Sequence, residues 1–284
     1  MKTICSTQLS RRQFLGTAGA IGAGITFGLA PATAAESRKK IPIGLQLYSL
    51  RVECQKDLPG TIVQVSKIGY KGVEFAGYHG RTAKELRKML DDNGLVAEGT
   101  HTPFESIKAD TLKDTIDFNH TIGNKFLIVP WMNETKSRQE WMDRVKLFNE
   151  VAEKLKLEGM WVGYHAHAHD FHKIDDISAW DLFFGNTNKE VIMQLDTSNC
   201  RDGGTEPVEV LKKYPGRART IHIKAHGAGP EGVIPDGDIN WKEVFAYCEG
   251  KGKTEWYVVE HETSKNPLDA VKRTFESLKS LGKV

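Results

Sequence analysis

After Lys40, short apolar runs alternate along the chain with amphipathic, charge-rich stretches. The apolar runs predict strands at 43–48, 72–75, 96–100, 126–129, 160–165, 191–195, 220–223 and 256–260. Apolar residues at helical spacing predict helices at 58–67, 82–92, 111–122, 138–157, 207–213, 241–250 and 267–281, with the weakest helical pattern at 176–184. Strands that alternate with helices imply parallel pairing and a sheet covered on its faces. Eight such units in about 250 residues predict an α/β protein, a (β/α)8 TIM barrel. A doubly wound open sheet is the competing topology. No G-x-G-x-x-G follows the first strand, where a dinucleotide site in such a sheet would need it.

The pattern breaks before residue 35. Arg11 and Arg12 sit in a Ser-Arg-Arg-Gln-Phe-Leu motif, followed by a Gly/Ala-rich apolar stretch to Leu29 and the small residues Ala32, Thr33, Ala34 and Ala35. These are the parts of a twin-arginine export signal. We expect residues 1–34 to be cleaved after Ala34 or Ala35, leaving one domain at 35–284 in the periplasm. The apolar stretch is short and weakly hydrophobic for a membrane span, so no stable insertion is expected after cleavage.

Removing that segment changes the charge. It carries three basic residues and no acidic one, so the net charge falls from +2 to −1. A near-neutral domain argues against nucleic acid as partner, because phosphate binding needs a concentrated basic surface. Cys54, Cys200 and Cys248 remain, an odd number without C-x-x-C pairing, so neither a disulfide framework nor a thiolate zinc site is expected.

The strand ends carry the candidate chemistry. In a barrel of this type, reactive groups sit at the C-terminal ends of the strands. Those ends are polar here. Gln46 and Tyr48 end the first, Glu74 the second, His101 follows the third, and Trp131 lies past the fourth. Four of the chain's ten histidines fall in residues 165–172, and alternation on an extended strand puts His165, His167 and His169 on one face. Asp196 and Asn199 follow the sixth strand, His222 and Lys224 the seventh, Glu260 and Glu262 the eighth. Histidine, aspartate, histidine and glutamate from strands five to eight offer mixed nitrogen and oxygen ligands for a divalent metal. Each has an ordinary alternative: Asp196 as a helix N-cap or ion pair, Glu260 as partner of Lys224, His222 as a hydrogen-bonded core histidine.

Seven motifs in order, GLQLYSLR, KGVEFAG, GYHAHAHDF, MQLDTSN, IHIKAH, GDINWKEVF and YVVEHE, resemble the sugar phosphate isomerase/epimerase family of xylose isomerase-like barrels. That family includes ketose 3-epimerases, aldose–ketose isomerases, an inosose dehydratase, dehydroshikimate dehydratases, an AP endonuclease and secreted members thought to act on 3-keto-glycosides. The resemblance implies a divalent ion (Mn, Zn, Co, Fe or Mg) held by His165, Asp196, His222 and Glu260, with His167 as the alternative to His165. It implies a small carbohydrate substrate and leaves a homo-oligomer open. One departure matters: the epimerase relatives carry a glutamate on the fifth strand where this chain has histidine. Asn199 likewise stands where those relatives commonly have histidine.

The expected activity is metal-assisted enolisation next to a carbonyl of a keto-sugar or 3-keto-glycoside. Glu260, Glu262 or His167 would move the proton. Gln46, Glu74, His101 and Lys224 would bind hydroxyls, and Trp131 would wall the sugar's apolar face. The alternative is a lyase, a dehydratase acting by β-elimination on the same substrate class. A non-catalytic carbohydrate-binding protein and an AP-endonuclease-like phosphodiesterase are the remaining readings.

Overall fold

A computed structural model describes residues 40–284, so the segment expected to be an export signal lies outside the described residues. Eight parallel strands form the barrel: β1 (Ile43–Gln46), β2 (Gly72–Phe75), β3 (Val96–His101), β4 (Phe126–Val129), β5 (Trp161–His165), β6 (Ile192–Gln194), β7 (Thr220–Ile223) and β8 (Trp256–Val259). Neighbours in sequence are neighbours in space, and β8 pairs back onto β1. Between β6 and β7 the closure is slight. Met193 N–H donates to the Arg217 carbonyl and His222 N–H to the Leu195 carbonyl, both at 2.9 Å, and Asp196 and His222 form an isolated bridge.

Helices surround the strands, because each apolar stripe must be buried against the sheet. They are α1 (Arg51–Ile68), α2 (Ala83–Asp92), α3 (Leu112–Ile122), α4 (Arg138–Leu157), α5 (Ala179–Asn186), α6 (Thr197–Asp202), α7 (Pro207–Lys213), α8 (Trp241–Glu249) and α9 (Pro267–Ser280). Local chemistry sets several starts. Thr82 and Glu85 form a capping box that opens α2, and Ser137 caps α4. Helix α1 begins seven residues before the predicted start and is kinked at Asp57, whose φ of −154° is not helical. The weak pattern after β5 resolves into a small antiparallel hairpin (173–174 with 177–178) that leads into α5. Cys54, Cys200 and Cys248 are buried and free. Among the described residues no helix is long and apolar enough to cross a membrane.

The barrel interior is layered. Its floor, at the N-terminal ends of the strands, is apolar: Phe126, Ile128 and Ile192 are buried, with Trp161 and Trp256 packed against them. Above lies Glu98, whose side chain fills space left by glycine, since a Cβ on Gly44 would lie 2.9 Å from its Oε1. The register between β2 and β3 slips after Val73, so Glu74 sits opposite Gly99. A Cβ on Gly99 would lie 2.7 Å from Glu74 Oε1, so only glycine leaves that carboxylate its place.

Candidate active site

The top interior layer holds the ionisable groups. Inward-facing positions recur every second residue, so the rows that start as Trp161, Ile192 and Trp256 end as His165, Asp196 and Glu260. Register then aligns them: His165 pairs with Gln194, and His222 with Val258, two residues before Glu260. Each of His165, Asp196, His222 and Glu260 offers one ligand atom within 4.8 Å of all the others. All four are buried, Asp196 and His222 completely.

Hydrogen bonds from beneath orient the ligands. His222 Nε2 lies 2.6 Å from Glu74 Oε2, while Nδ1 faces the cluster, 3.1 Å from Glu260 Oε2 and 3.9 Å from Asp196 Oδ2. His165 Nδ1 lies 3.0 Å from Gln194 Oε1, which leaves Nε2 for the cluster. Gln194 in turn donates to Glu74 Oε1 at 2.7 Å, and Gln46 donates to Glu74 Oε2 at 2.8 Å. Such outer partners fix a ligand's tautomer and direction.

Electrostatics follow from this packing. Burial opposes a charge on His222, but Glu74 and Glu260 outweigh it and raise its pKa well above the ordinary histidine value. Burial and the neighbouring histidines push His165 well below, so it is neutral. Glu74 and Glu260 resist burial because cationic neighbours, His222 above all at Glu260, hold them below the usual carboxylate range. Burial pushes Asp196 up to about 7, although the Lys224 ammonium opposes it. Its Oδ1 caps α6 through the Asn199 N–H at 2.7 Å, while Oδ2 is buried without a hydrogen-bond partner. An orphaned carboxylate oxygen beside another carboxylate and two imidazoles is a donor set that fits a divalent cation. The ordinary roles coexist with it: Asp196 is an N-cap, and Glu260 lies 4.0 Å from Lys224 Nζ.

Above the cluster opens a cavity of about 430 Å³ lined by Tyr48, Ala76, His101, Pro130, Trp131, His165, His167, Asn199, Glu260 and Glu262. Tyr48 and Trp131 are among its exposed aromatics, at 43% and 49%. Trp131 packs against His167 and His169, with ring centroids 4.6 Å from each. Burial, then His169, pushes His167 down to about 4, and its Nδ1 is buried without a partner. Lys224 is ion-paired with Glu262.

Thus His101, Trp131, His167, Glu260 and Glu262 meet in the cavity, with Lys224 behind Glu262. Gln46 and Glu74, expected to contact substrate, lie fully buried beneath the histidines and outside the cavity wall. His165, not His167, belongs to the four-residue cluster. The sequence reading missed Gln194, Glu98 and Asp170. Gln194 was findable, being two residues before Asp196 on the same inward row. Glu98 stood on the third strand, but only the register slip shows that it faces inward.

A family model described as "xylose isomerase-like TIM barrel" matches residues 62–281. The chain is similar to an inosose dehydratase of Clostridium botulinum, 24% identical over 252 residues that cover 73% of this chain and 84% of that protein. It is similar to an inosose dehydratase of Geobacillus thermodenitrificans, 26% identical over 243 residues, covering 71% and 80%. Among solved structures, a sugar phosphate isomerase/epimerase from Parabacteroides distasonis superposes with a TM-score of 0.75 at 26% identity, covering 86% of this chain and 99% of that one. The chain belongs to the xylose isomerase-like TIM barrel family and is an enzyme of the isomerase, epimerase and lyase class.

Proposed function

We propose that the enzyme removes a proton from the carbon next to a carbonyl of a keto-sugar or 3-keto-glycoside, assisted by a divalent metal at His165, Asp196, His222 and Glu260. The observation that carries this reading is the convergence of those four donors within 4.8 Å at the base of the cavity. The bound ion would polarise the carbonyl oxygen and offset the negative charge that develops on it. The chain's own residues supply the rest. His167 is held neutral in the cavity wall, so it can accept a proton at neutral pH. Glu262 is kept at the opening by the Lys224 ammonium, and Trp131 offers a face against which a sugar ring can lie.

A second reading, β-elimination, is favoured by one observation. The cavity's proton-handling groups are unlike one another, a neutral imidazole at His167 and an ion-paired carboxylate at Glu262. Unlike groups suit a reaction in which one takes a proton and another protonates a leaving group. The relatives named inosose dehydratase support this outcome. Export through the twin-arginine pattern, proposed from Arg11 and Arg12, supports a substrate without phosphate in the periplasm.

Incubation of the metal-loaded protein with ketoses and 3-keto-glycosides in D₂O tests both readings by NMR. Deuterium next to the carbonyl in recovered sugar supports enolisation, and release of the β-substituent identifies elimination. Neither label nor release in any substrate would overturn the proposal.

A further inference from the structure

Asp170 has no place in the cavity wall or the ligand cluster, yet it is completely buried. Burial pushes its carboxyl up to about 6, a cost that ordinary packing would avoid. Its contacts lead to the loop beyond β5 that carries the cavity residue His167, and to β5 itself. The His167 N–H donates to Asp170 Oδ2 at 2.8 Å. The Tyr164 hydroxyl donates to Oδ1 at 2.7 Å, which ties the turn to the buried end of β5. His169 Nε2 lies 3.4 Å from Oδ1 and 3.3 Å from the Met132 carbonyl. The same turn is closed by the Asp170 N–H donating to the His167 carbonyl at 3.1 Å.

These contacts matter because His167 has no other anchor of that kind. Its Nδ1 is unpartnered, and its ring rests between aromatic neighbours, 4.6 Å from Trp131 and 5.0 Å from His165. The backbone at His167 is extended (φ −124°, ψ 164°) and passes directly into the single turn Ala168–Phe171. A rotation there would carry the imidazole away from the cavity. The carboxylate prevents this by gripping the His167 main chain on one oxygen and Tyr164 on the other.

We propose that Asp170 is a positioning residue: it clamps the Ala168–Phe171 turn so that the His167 imidazole stays aimed into the cavity. The inference rests on the reading of His167 as a proton acceptor, but its geometric part can be tested without turnover. The partners of Asp170 are His167, Tyr164 and His169, none of them a metal ligand, so the clamp acts on His167 and not directly on the ion site.

Asparagine can keep both bonds, accepting from the His167 N–H and donating to the Tyr164 oxygen, whereas alanine keeps neither. Long-range ¹H–¹⁵N spectra of the side-chain imidazoles, with His167→Gln to assign the resonance, report the ring directly in Zn²⁺-loaded protein. Asp170→Ala is expected to shift the His167 signals toward those of a free imidazole, with bound zinc unchanged, while Asp170→Asn restores them. On a substrate that exchanges deuterium, Asp170→Ala should lower kcat by about 10- to 100-fold with a much smaller change in KM. If Asp170→Ala does not fold, Tyr164→Phe releases one side of the clamp and should shift the same resonance in part. Unchanged His167 signals in the folded variant would overturn the proposal. If wild-type protein exchanges no deuterium, the enolisation reading fails, while the imidazole spectra still decide the clamp.

Discussion

The two ends of the barrel interior are built on the same rows of residues and behave as opposites. At the floor, Phe126, Ile128 and Ile192 close against Trp161 and Trp256, and Arg219 stacks its guanidinium 3.8 Å from the Trp161 ring. Four residues further along the same rows stand His165, Asp196 and Glu260. The floor needs no orientation, because dispersion and burial are non-directional. The mouth needs all of it: each imidazole and carboxylate there has a partner that fixes its direction, apart from the oxygen and nitrogen left open at Asp196 and His167. The difference shows how one scaffold separates stability from chemistry, with the rigid apolar end supporting a polar end that buries incompletely hydrogen-bonded groups at a cost.

That separation can be broken at either end. Asp196→Ala removes one of four donors, so metal titration should show at least a tenfold weaker site, and activity should fall with it by roughly 10²-fold or more. Metal content equal to wild type would refute the ligand assignment. Phe126→Ala at the floor should do the converse. Denaturant unfolding is expected to show a loss of about 3–5 kcal/mol with metal stoichiometry unchanged. A floor variant that lost its metal while folded would show that the ends are coupled.

The smallest effect concerns the layer between them. Burial, reinforced by Glu74, raises Glu98 well above the ordinary glutamate value of 4.5, and both its oxygens lack hydrogen-bond partners. Glu98 therefore keeps its proton in the fold at a pH where the unfolded chain has released it. The unfolded state then binds fewer protons at this position, so the contribution of Glu98 to stability is full below about 4.5 and is lost as pH rises above it. Glu98→Gln, a neutral replacement of the same shape, should fold as well as wild type near pH 4. It should also lack that decline, which has a limiting slope of about 1.4 kcal/mol per pH unit for one proton. Parallel stability curves for the two proteins would mean that Glu98 is ionised.

Much of this was legible beforehand. The eight strands fall where the apolar runs predicted them, and the four clustered donors are those named from strand ends and family resemblance. Two kinds of information were not legible. Helix α6 was missed because six residues after Asp196 give too little periodicity to read, and it is opened by an aspartate whose other oxygen faces the cluster. The placement of Gln46 and Glu74 was also unreadable, since period-two alternation assigns a residue to the interior but not to a depth within it. Their depth depends on register: Gln46 pairs with Glu74, and the slip opposite Gly99 seats that carboxylate under His222.

By itself the sequence determined the barrel, the polar rim of its strands and the residue types available for a metal, because alternation and helical spacing are local properties of the chain. Only the tertiary structure decided which of the alternating histidines joins Asp196, His222 and Glu260, which groups stand behind them, and which lose or keep their charge. Those outcomes depend on strand register and on burial, and both arise when residues more than a hundred positions apart, such as Glu74 and His222, are brought within hydrogen-bonding distance.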